Sequence, residues 1–304
     1  MSVQVPHPFP YQGSKRNIAH HILPYLPTDI DRLIEPFCGS AAISIAAAAC
    51  GFAGKFALND INSALMSLWV EILERPAQLT KEYERLWYEQ QTDRKEYFSR
   101  VRAEFNATHE PHHLLYLLAR IVKGSVRYSS DGQFNQAPDN RRSGMKPETM
   151  RRQILGVSEL LADRTSLSAM DFRESIMTAT TTDVVYLDPP YQGVSFARDH
   201  RYYRGLSYNE LVDVLALMNL RGISYLVSYD GRTGEKHHGQ SLPSDLELRH
   251  LEIYAGKSSQ ATFLGKHSET VESLYLSPAL VNRLESGRSD SAVLAGGIQG
   301  RLHG

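Results

Sequence analysis

Short apolar runs alternate with amphipathic stretches along this chain. Leu33-Ile34, Phe56-Ala57-Leu58, Val184-Val185-Tyr186-Leu187 and Ile223–Tyr229 are too short for buried helices and are bounded by turn residues or charge. Such runs read as strands covered on both faces. Between and around them, apolar residues recur at helical spacing over Asn17–Leu26, Ile43–Cys50 and Tyr208–Leu220. Strands alternating with helices predict an α/β chain with a mainly parallel sheet. Leu246–Ile253 and Val271–Leu276 have no helix between them and predict an antiparallel edge.

The alternation breaks once, over residues 63–165. Four helical patterns fall there (Ala64–Leu73, Pro76–Gln91, Arg94–Asn106 and His112–Val122), too much chain for a simple crossover. The reading is an inserted, mainly helical subdomain, which splits the α/β domain into residues 1–62 and 166–283. Near 123–135, Ser130-Asp131-Gly132 between two short runs signals a hairpin. From Leu284 to Gly304 periodicity fades while Gly, Ser and Ala rise, predicting a poorly ordered tail.

Charge changes the picture only locally. The chain of 304 residues carries a formal −1, yet residues 120–152 hold eight Lys or Arg against three acids. That local excess, which includes Arg120, Arg127, Arg141 and Arg142, suits a DNA-facing surface. A solvated charged face reads the same way in isolation. The loop 192–205, with Arg198, Arg201, Arg204, Tyr202 and Tyr203, has backbone- and base-contacting composition, which a mobile surface loop would share. His109, His112 and His113 lack Cys or carboxylate partners at ligand spacing, so no metal site is expected. No apolar run approaches the roughly 20 residues that span a bilayer. Two cysteines, Cys38 and Cys50, fit a reducing compartment, and the start of the chain has no secretion-signal pattern, so a cytoplasmic location is expected.

The candidate chemistry sits at strand ends. Val184–Leu187 stops at Asp188-Pro189-Pro190-Tyr191, because two prolines cannot continue a ladder. A carboxylate, several carbonyls and a ring therefore meet where open α/β sheets bind ligands. Such a group could grip a planar base by its amine, although an ordinary Asp-Pro-Pro turn would look alike. Glu35-Pro36-Phe37-Cys38-Gly39-Ser40 forms a tight small-residue turn before a helix. Asp60 follows Gly39 by about 20 residues, the interval at which a strand-tip acid reads a ribose diol. Together these features imply an adenosine-containing cofactor, with no pyrophosphate cradle. Tyr11-Gln12-Gly13-Ser14-Lys15 and Asp171-Phe172 add two further polar strand or helix ends.

Taken in order, these motifs resemble the Dam-like (D12 class) DNA adenine-N6 methyltransferases over most of residues 8–277. The resemblance implies a Rossmann-like fold with a mixed seven-stranded sheet, an antiparallel edge hairpin and an inserted target-recognition subdomain. It implies S-adenosyl-L-methionine as methyl donor, held by Tyr11, Lys15, Asp60 and Asp188, with Glu35, Pro36, Phe37, Gly39 and Ser40 beside its methionine part. Asp171 and Phe172 would hold its adenine. Asp188, Pro189, Pro190 and Tyr191 would be catalytic on a flipped adenine in double-stranded DNA. Arg127, Tyr128 and Asn135 match the family's DNA-contacting hairpin, with Arg127 placed to read a guanine. Lys15, Arg141 and Arg142 complete the expected DNA contacts, and a cognate restriction endonuclease would act separately. Departures exist: Tyr11 stands for a common tryptophan, Ala41 for a frequent glycine, and Val122-Lys123 for an aromatic and an amide, so the family's GATC target need not carry over. The competing chemistries are cytosine-N4 methylation and an inactive DNA-binding relative.

Overall fold

A computed structural model describes residues 4–190, 206–233, 236–237, 240–257 and 269–287. One sheet organises them. Strands β1 (Arg32–Glu35), β2 (Lys55–Asn59), β3 (Thr165–Ser168), β4 (Val184–Leu187), β5 (Ser224–Thr233), β7 (Arg249–Lys257) and β8 (Glu269–Leu276) lie in the order β3-β2-β1-β4-β5-β8-β7, and the two-residue β6 (Lys236–His237) pairs with β5. The first five strands are parallel, whereas β8 runs antiparallel to both β5 and β7. This is the expected mixed seven-stranded sheet with an antiparallel edge. Every residue of β4 is buried, which explains why its sequence shows no polar alternation. Strand order reverses between β1 and β4, so the crevice beyond their C-terminal ends is the topological switch point.

Helices α1 (Ala19–Ile22), α2 (Ala42–Ala49), α3 (Ser63–Glu74), α4 (Pro76–Glu89), α5 (Arg94–Thr108), α6 (Pro111–Arg120), α7 (Pro147–Leu161), α8 (Phe172–Met177) and α9 (Tyr208–Leu220) surround the sheet. Helices α3 to α7 occupy the long excursion between β2 and β3. Their apolar faces follow helical spacing, as with Leu79, Tyr83 and Leu86 on α4, and α4 packs on both α6 and α7. Trp69, Leu115, Phe134 and Ile154 from this excursion share one continuous core with Leu33 and Phe56 of the sheet. A second core on the opposite face joins Val185, Leu187 and Tyr225 to Phe172, Leu211 and Leu215. Among the described residues, no helix is long and apolar enough to cross a membrane.

The structure departs from or narrows the sequence expectations in five places. Asn17–Leu26 is not one helix but α1 between two single 3₁₀ turns, Lys15–Asn17 and Leu23–Tyr25; the first break falls at Ile18, and Pro24, which lacks a backbone N–H, ends α1. Of the strand or helix ends expected at Asp171-Phe172, the helix end is the one present: β3 stops at Ser168, and the Asp171 side chain accepts from Arg173 N and starts α8. The last antiparallel strand begins at Arg249 rather than Leu246, after a 3₁₀ turn over Ser244–Leu246 and a left-handed Glu247 (φ 52°). Residues 284–287 belong to a helical run over 278–287, while 288–304 lie outside the described residues. Finally, Arg120 leaves the basic surface altogether. It is 1% exposed, and its guanidinium donates to the Gln90 side chain and to the Tyr116 hydroxyl.

Candidate active site

The first turn of the chain lies over the end of β4. Ser14 accepts from the Ser40 hydroxyl at 2.9 Å, which holds the 3₁₀ turn against the loop after β1. Lys15, only 6% exposed, then places Nζ 2.8 Å from Asp188 Oδ1 and 3.9 Å from Glu272 Oε2 on β8. Burial raises the Asp188 carboxyl above the usual range, and the Lys15 ammonium opposes that shift. The ion pair therefore favours a carboxylate at a place where desolvation alone disfavours one. Pro189, the next residue, is buried. Tyr191 and the basic loop 192–205 lie outside the described residues.

The loop after β1 is shaped by its neighbours. Glu35 ends β1 fully buried, and its carboxylate accepts from Ser44 N in the first turn of α2. It thereby caps a helix whose own N-cap, Ala41, has no side-chain acceptor. Burial is the main reason the Glu35 carboxyl is pushed up to about 7; the Ser44 hydrogen bonds oppose this and the Asp188 charge adds to it. Gly39 adopts φ +47° beneath the Tyr11 ring, and a Cβ there would lie 3.0 Å from Tyr11 Cδ1. Glycine takes this left-handed backbone at no steric cost, and a larger residue would press its Cβ on the Tyr11 ring. Phe37 stacks on Phe172 with ring centroids 5.0 Å apart.

Asp60 closes the floor. Gly39 N donates to its Oδ2 at 3.2 Å and Asn62 N to its Oδ1 at 3.0 Å, while burial raises its carboxyl to about 6 against those two bonds. Asn59, 1% exposed, is a residue the sequence reading passes over. Its amide nitrogen donates to Pro36 O and Met170 O, and its oxygen accepts from Ser168 Oγ and Met170 N. Four bonds from one side chain fix the ends of β1, β2 and β3 relative to one another. Its only sequence signal is its position before a strand-tip acid. Glu272 is missed in the same way; it lies on β8, whose sequence also carries Glu269, Thr270 and Ser273, so nothing local marks it. Asp171 behaves differently from its neighbours, because its carboxylate is engaged by the Arg173 guanidinium at 2.7 and 2.9 Å as well as by Arg173 N.

The predicted hairpin is present as an antiparallel bridge between Tyr128 and Phe134, with Asn135 N donating to Arg127 O at 2.8 Å. Asn106 of α5 pairs with both backbone groups of Phe134, whose ring is buried. Arg127 and Asn135 are exposed on this support. The hairpin enters beside the first motif, where Gln12 N donates to Gly124 O at 3.1 Å. Arg141 and Arg142 stand on a separate turn, both turned toward the buried Asp139 carboxylate. Thus Tyr11, Lys15, Glu35, Gly39, Ser40, Asp60 and Asp188 gather at the switch point, with Phe37 and Phe172 beside them and the hairpin adjoining. Among the described residues, no group of three or more His, Cys, Asp or Glu is placed to hold a metal ion.

The family model for D12 class N6 adenine-specific DNA methyltransferases matches residues 11–259, spanning every element of this site up to β7. The chain belongs to that family. It is a DNA adenine methyltransferase. It is 24% identical over 280 residues to the type II methyltransferase M1.LlaDCHI of Lactococcus lactis subsp. cremoris, covering 87% of this chain and 94% of that protein. Identity to the DNA adenine methylase of Serratia marcescens is 27% over 254 residues, covering 82% and 88%. The DNA adenine methylase of Vibrio cholerae serotype O1 shares 27% over 229 residues, covering 72% and 79%.

The buried acids of this methyltransferase predict a pH signature. A carboxyl raised from 4.5 to about 7 keeps its proton in the folded chain after the unfolded chain has lost it. Its contribution to stability is therefore fully present below the unfolded pKa and lost as pH rises through that window. Glu35→Gln keeps an acceptor for Ser44 N and removes the titration. Urea midpoints measured between pH 4.5 and 7 should fall less steeply in the variant; an unchanged slope would remove Glu35 as a source.

Proposed function

We propose that this methyltransferase carries the methyl group of S-adenosyl-L-methionine to N6 of an adenine flipped from double-stranded DNA. The observation that carries this reading is Asp188, held by Lys15 at the end of the central strand and on the switch point of the sheet. The residues present fit the donor: Gly39 leaves bare backbone under Tyr11, and the Asp60 carboxylate closes the tip of β2. Asp60 would take the ribose hydroxyls. The loop from Glu35 to Ser40 would lie beside the methionine part, and Phe37 with Phe172 beside the adenine ring. When bound, the donor supplies an electrophilic methyl on a sulfonium.

An adenine amine is a weak nucleophile because its lone pair is delocalised into the ring. Asp188 and the Pro189 carbonyl accept its two hydrogens, which concentrates the lone pair on nitrogen and aims it at the methyl. The transfer would leave one surplus proton on the nitrogen, which Asp188, already hydrogen-bonded to it, would accept and pass to solvent, and the spent donor would depart as a neutral thioether. The Lys15 ammonium favours the ionised form of Asp188, against the burial that raises its carboxyl. Tyr191 is assigned to stack on the extruded ring, where base–aromatic stacking contributes about 1–3 kcal/mol. Positioning and fixed charges supply the rest of the rate.

The exposed Arg127, with Tyr128 and Asn135, is assigned to the target sequence, and Arg141 and Arg142 to phosphates. Arg127→Ala should relax discrimination at one base pair by about 1–3 kcal/mol. Single-molecule methylome mapping in an unmethylated host would show this as a degenerate position in the motif; an unchanged motif and rate would take the reading role from Arg127. The type II name of one relative supports a separate cognate restriction endonuclease as partner.

A further inference from the structure

Two contacts join the hairpin to the floor of the cofactor pocket, and together they close a ring. On one side, the Gly124 carbonyl accepts from Gln12 N at 3.1 Å, and the Gly124 backbone presses on Pro10 and Tyr11 so closely that a Cβ would lie 2.5 Å from Pro10 O. Tyr11 in turn covers Gly39. On the other side, Asn62 Nδ2 donates to the Tyr128 hydroxyl at 3.1 Å. Asn62 N donates to Asp60 Oδ1, and Asp60 Oδ2 accepts from Gly39 N. The path therefore runs from hairpin to Tyr11, Gly39, Asp60, Asn62 and back to the hairpin.

The Asn62 side chain is doubly committed. Its oxygen accepts from Leu65 N and caps α3, so its amide nitrogen has a fixed direction. The Tyr128 ring is fixed too, packed edge-on against the buried Phe134 at 5.9 Å. A hydrogen bond between two such constrained groups transmits displacement rather than absorbing it. Ordering the hairpin on DNA and ordering Asp60 on a ribose then act on the same set of contacts.

From this geometry we infer that Asn62 and Tyr128 are positioning residues that couple DNA binding to cofactor binding. Each ligand tightens the other, because whichever binds first orders the ring for the second. The inference rests on the proposed function, since it takes the hairpin as the DNA contact and Asp60 as a cofactor contact. Linkage requires the effect to be reciprocal: the factor by which DNA tightens the cofactor equals the factor by which the cofactor tightens DNA.

The test measures four dissociation constants by titration. They are S-adenosylhomocysteine with and without a duplex carrying the mapped motif, and that duplex with and without S-adenosylhomocysteine. For the unaltered chain the two ratios should agree and be at least about fivefold. Tyr128→Phe keeps the ring against Phe134 and removes the hydroxyl, and should bring both ratios below about twofold, whatever each separate affinity becomes. Asn62→Asp keeps the cap on α3 and reverses the bond, with the phenol donating, and should retain the coupling. A ratio near one in the unaltered chain, or a Tyr128→Phe ratio equal to it, overturns the coupling role while leaving the proposed function intact. Absence of any binding by S-adenosylhomocysteine or by DNA overturns the proposed function, and the coupling with it.

Discussion

Asp188→Ala should lower the rate of methyl transfer about 10²–10³-fold, the scale of losing one preorganised polar group at a reacting centre. The substitution removes the proposed acceptor for the adenine amine and leaves the buried Lys15 ammonium with Glu272 at 3.9 Å. Breaking a buried ion pair of this kind costs about 3–5 kcal/mol, so folding has to be measured alongside the rate. Asp188→Asn separates the two effects. It keeps the side-chain volume and an oxygen for Lys15, yet lacks the negative charge that localises the lone pair. The expected result is a folded Asn variant with a rate as low as that of the Ala variant. Single-turnover kinetics with the melting temperature of each variant checks this; a wild-type rate in either would remove Asp188 from the chemistry.

Gly124→Ala should destabilise the fold by about 2–4 kcal/mol, a large value for adding one methyl group. Two causes combine there. The backbone is left-handed at φ +63°, which costs an L-residue roughly 1–2 kcal/mol, and the new Cβ would meet backbone atoms of Pro10 and Tyr11 at 2.5 and 2.6 Å. No rotamer change relieves a backbone clash, so either the hairpin or the first motif must move. Gly13→Ala is the control. Gly13 has φ +82° with nothing within 4 Å of its Cβ position, so it carries the strain without the collision. Urea denaturation should show the Gly124→Ala chain less stable than the Gly13→Ala chain, with a weaker KM for DNA only in the former. Equal losses would mean that the close approach of hairpin and first motif contributes nothing.

The parts of this molecule that are legible in the sequence are those where a local rule operates. The apolar run Val184–Leu187 stopped by Asp188-Pro189-Pro190 reads as a buried strand delivering an acid to the sheet's end, and it is one. The spacing from Gly39 to Asp60 marks a strand-tip acid beside a tight turn, and the two share a hydrogen bond at 3.2 Å. What escapes depends on contacts between distant segments. Glu272 meets Lys15 only because β8 folds back beside β5. Asn59 becomes a four-bond hub only once three strand ends converge. Arg120 counts as surface charge in the sequence because its type is visible there, and nothing local shows that Gln90 and Tyr116 enclose it. Glu35 is assigned by the sequence to the cofactor alone, whereas its carboxylate also caps α2. Pro24, by contrast, is visible in the chain and explains why α1 stops at Ile22, although not the earlier break at Ile18.

In the proposed function, the end of β4 presents Asp188 and the Pro189 carbonyl to an exocyclic amine of adenine, with S-adenosyl-L-methionine as the source of the methyl group. The most direct test incubates the chain with methyl-labelled S-adenosyl-L-methionine and unmethylated duplex DNA, digests the product to nucleosides and separates them by chromatography. The label should elute with N6-methyldeoxyadenosine. Label in N4-methyldeoxycytidine, or no transfer to DNA, would contradict it.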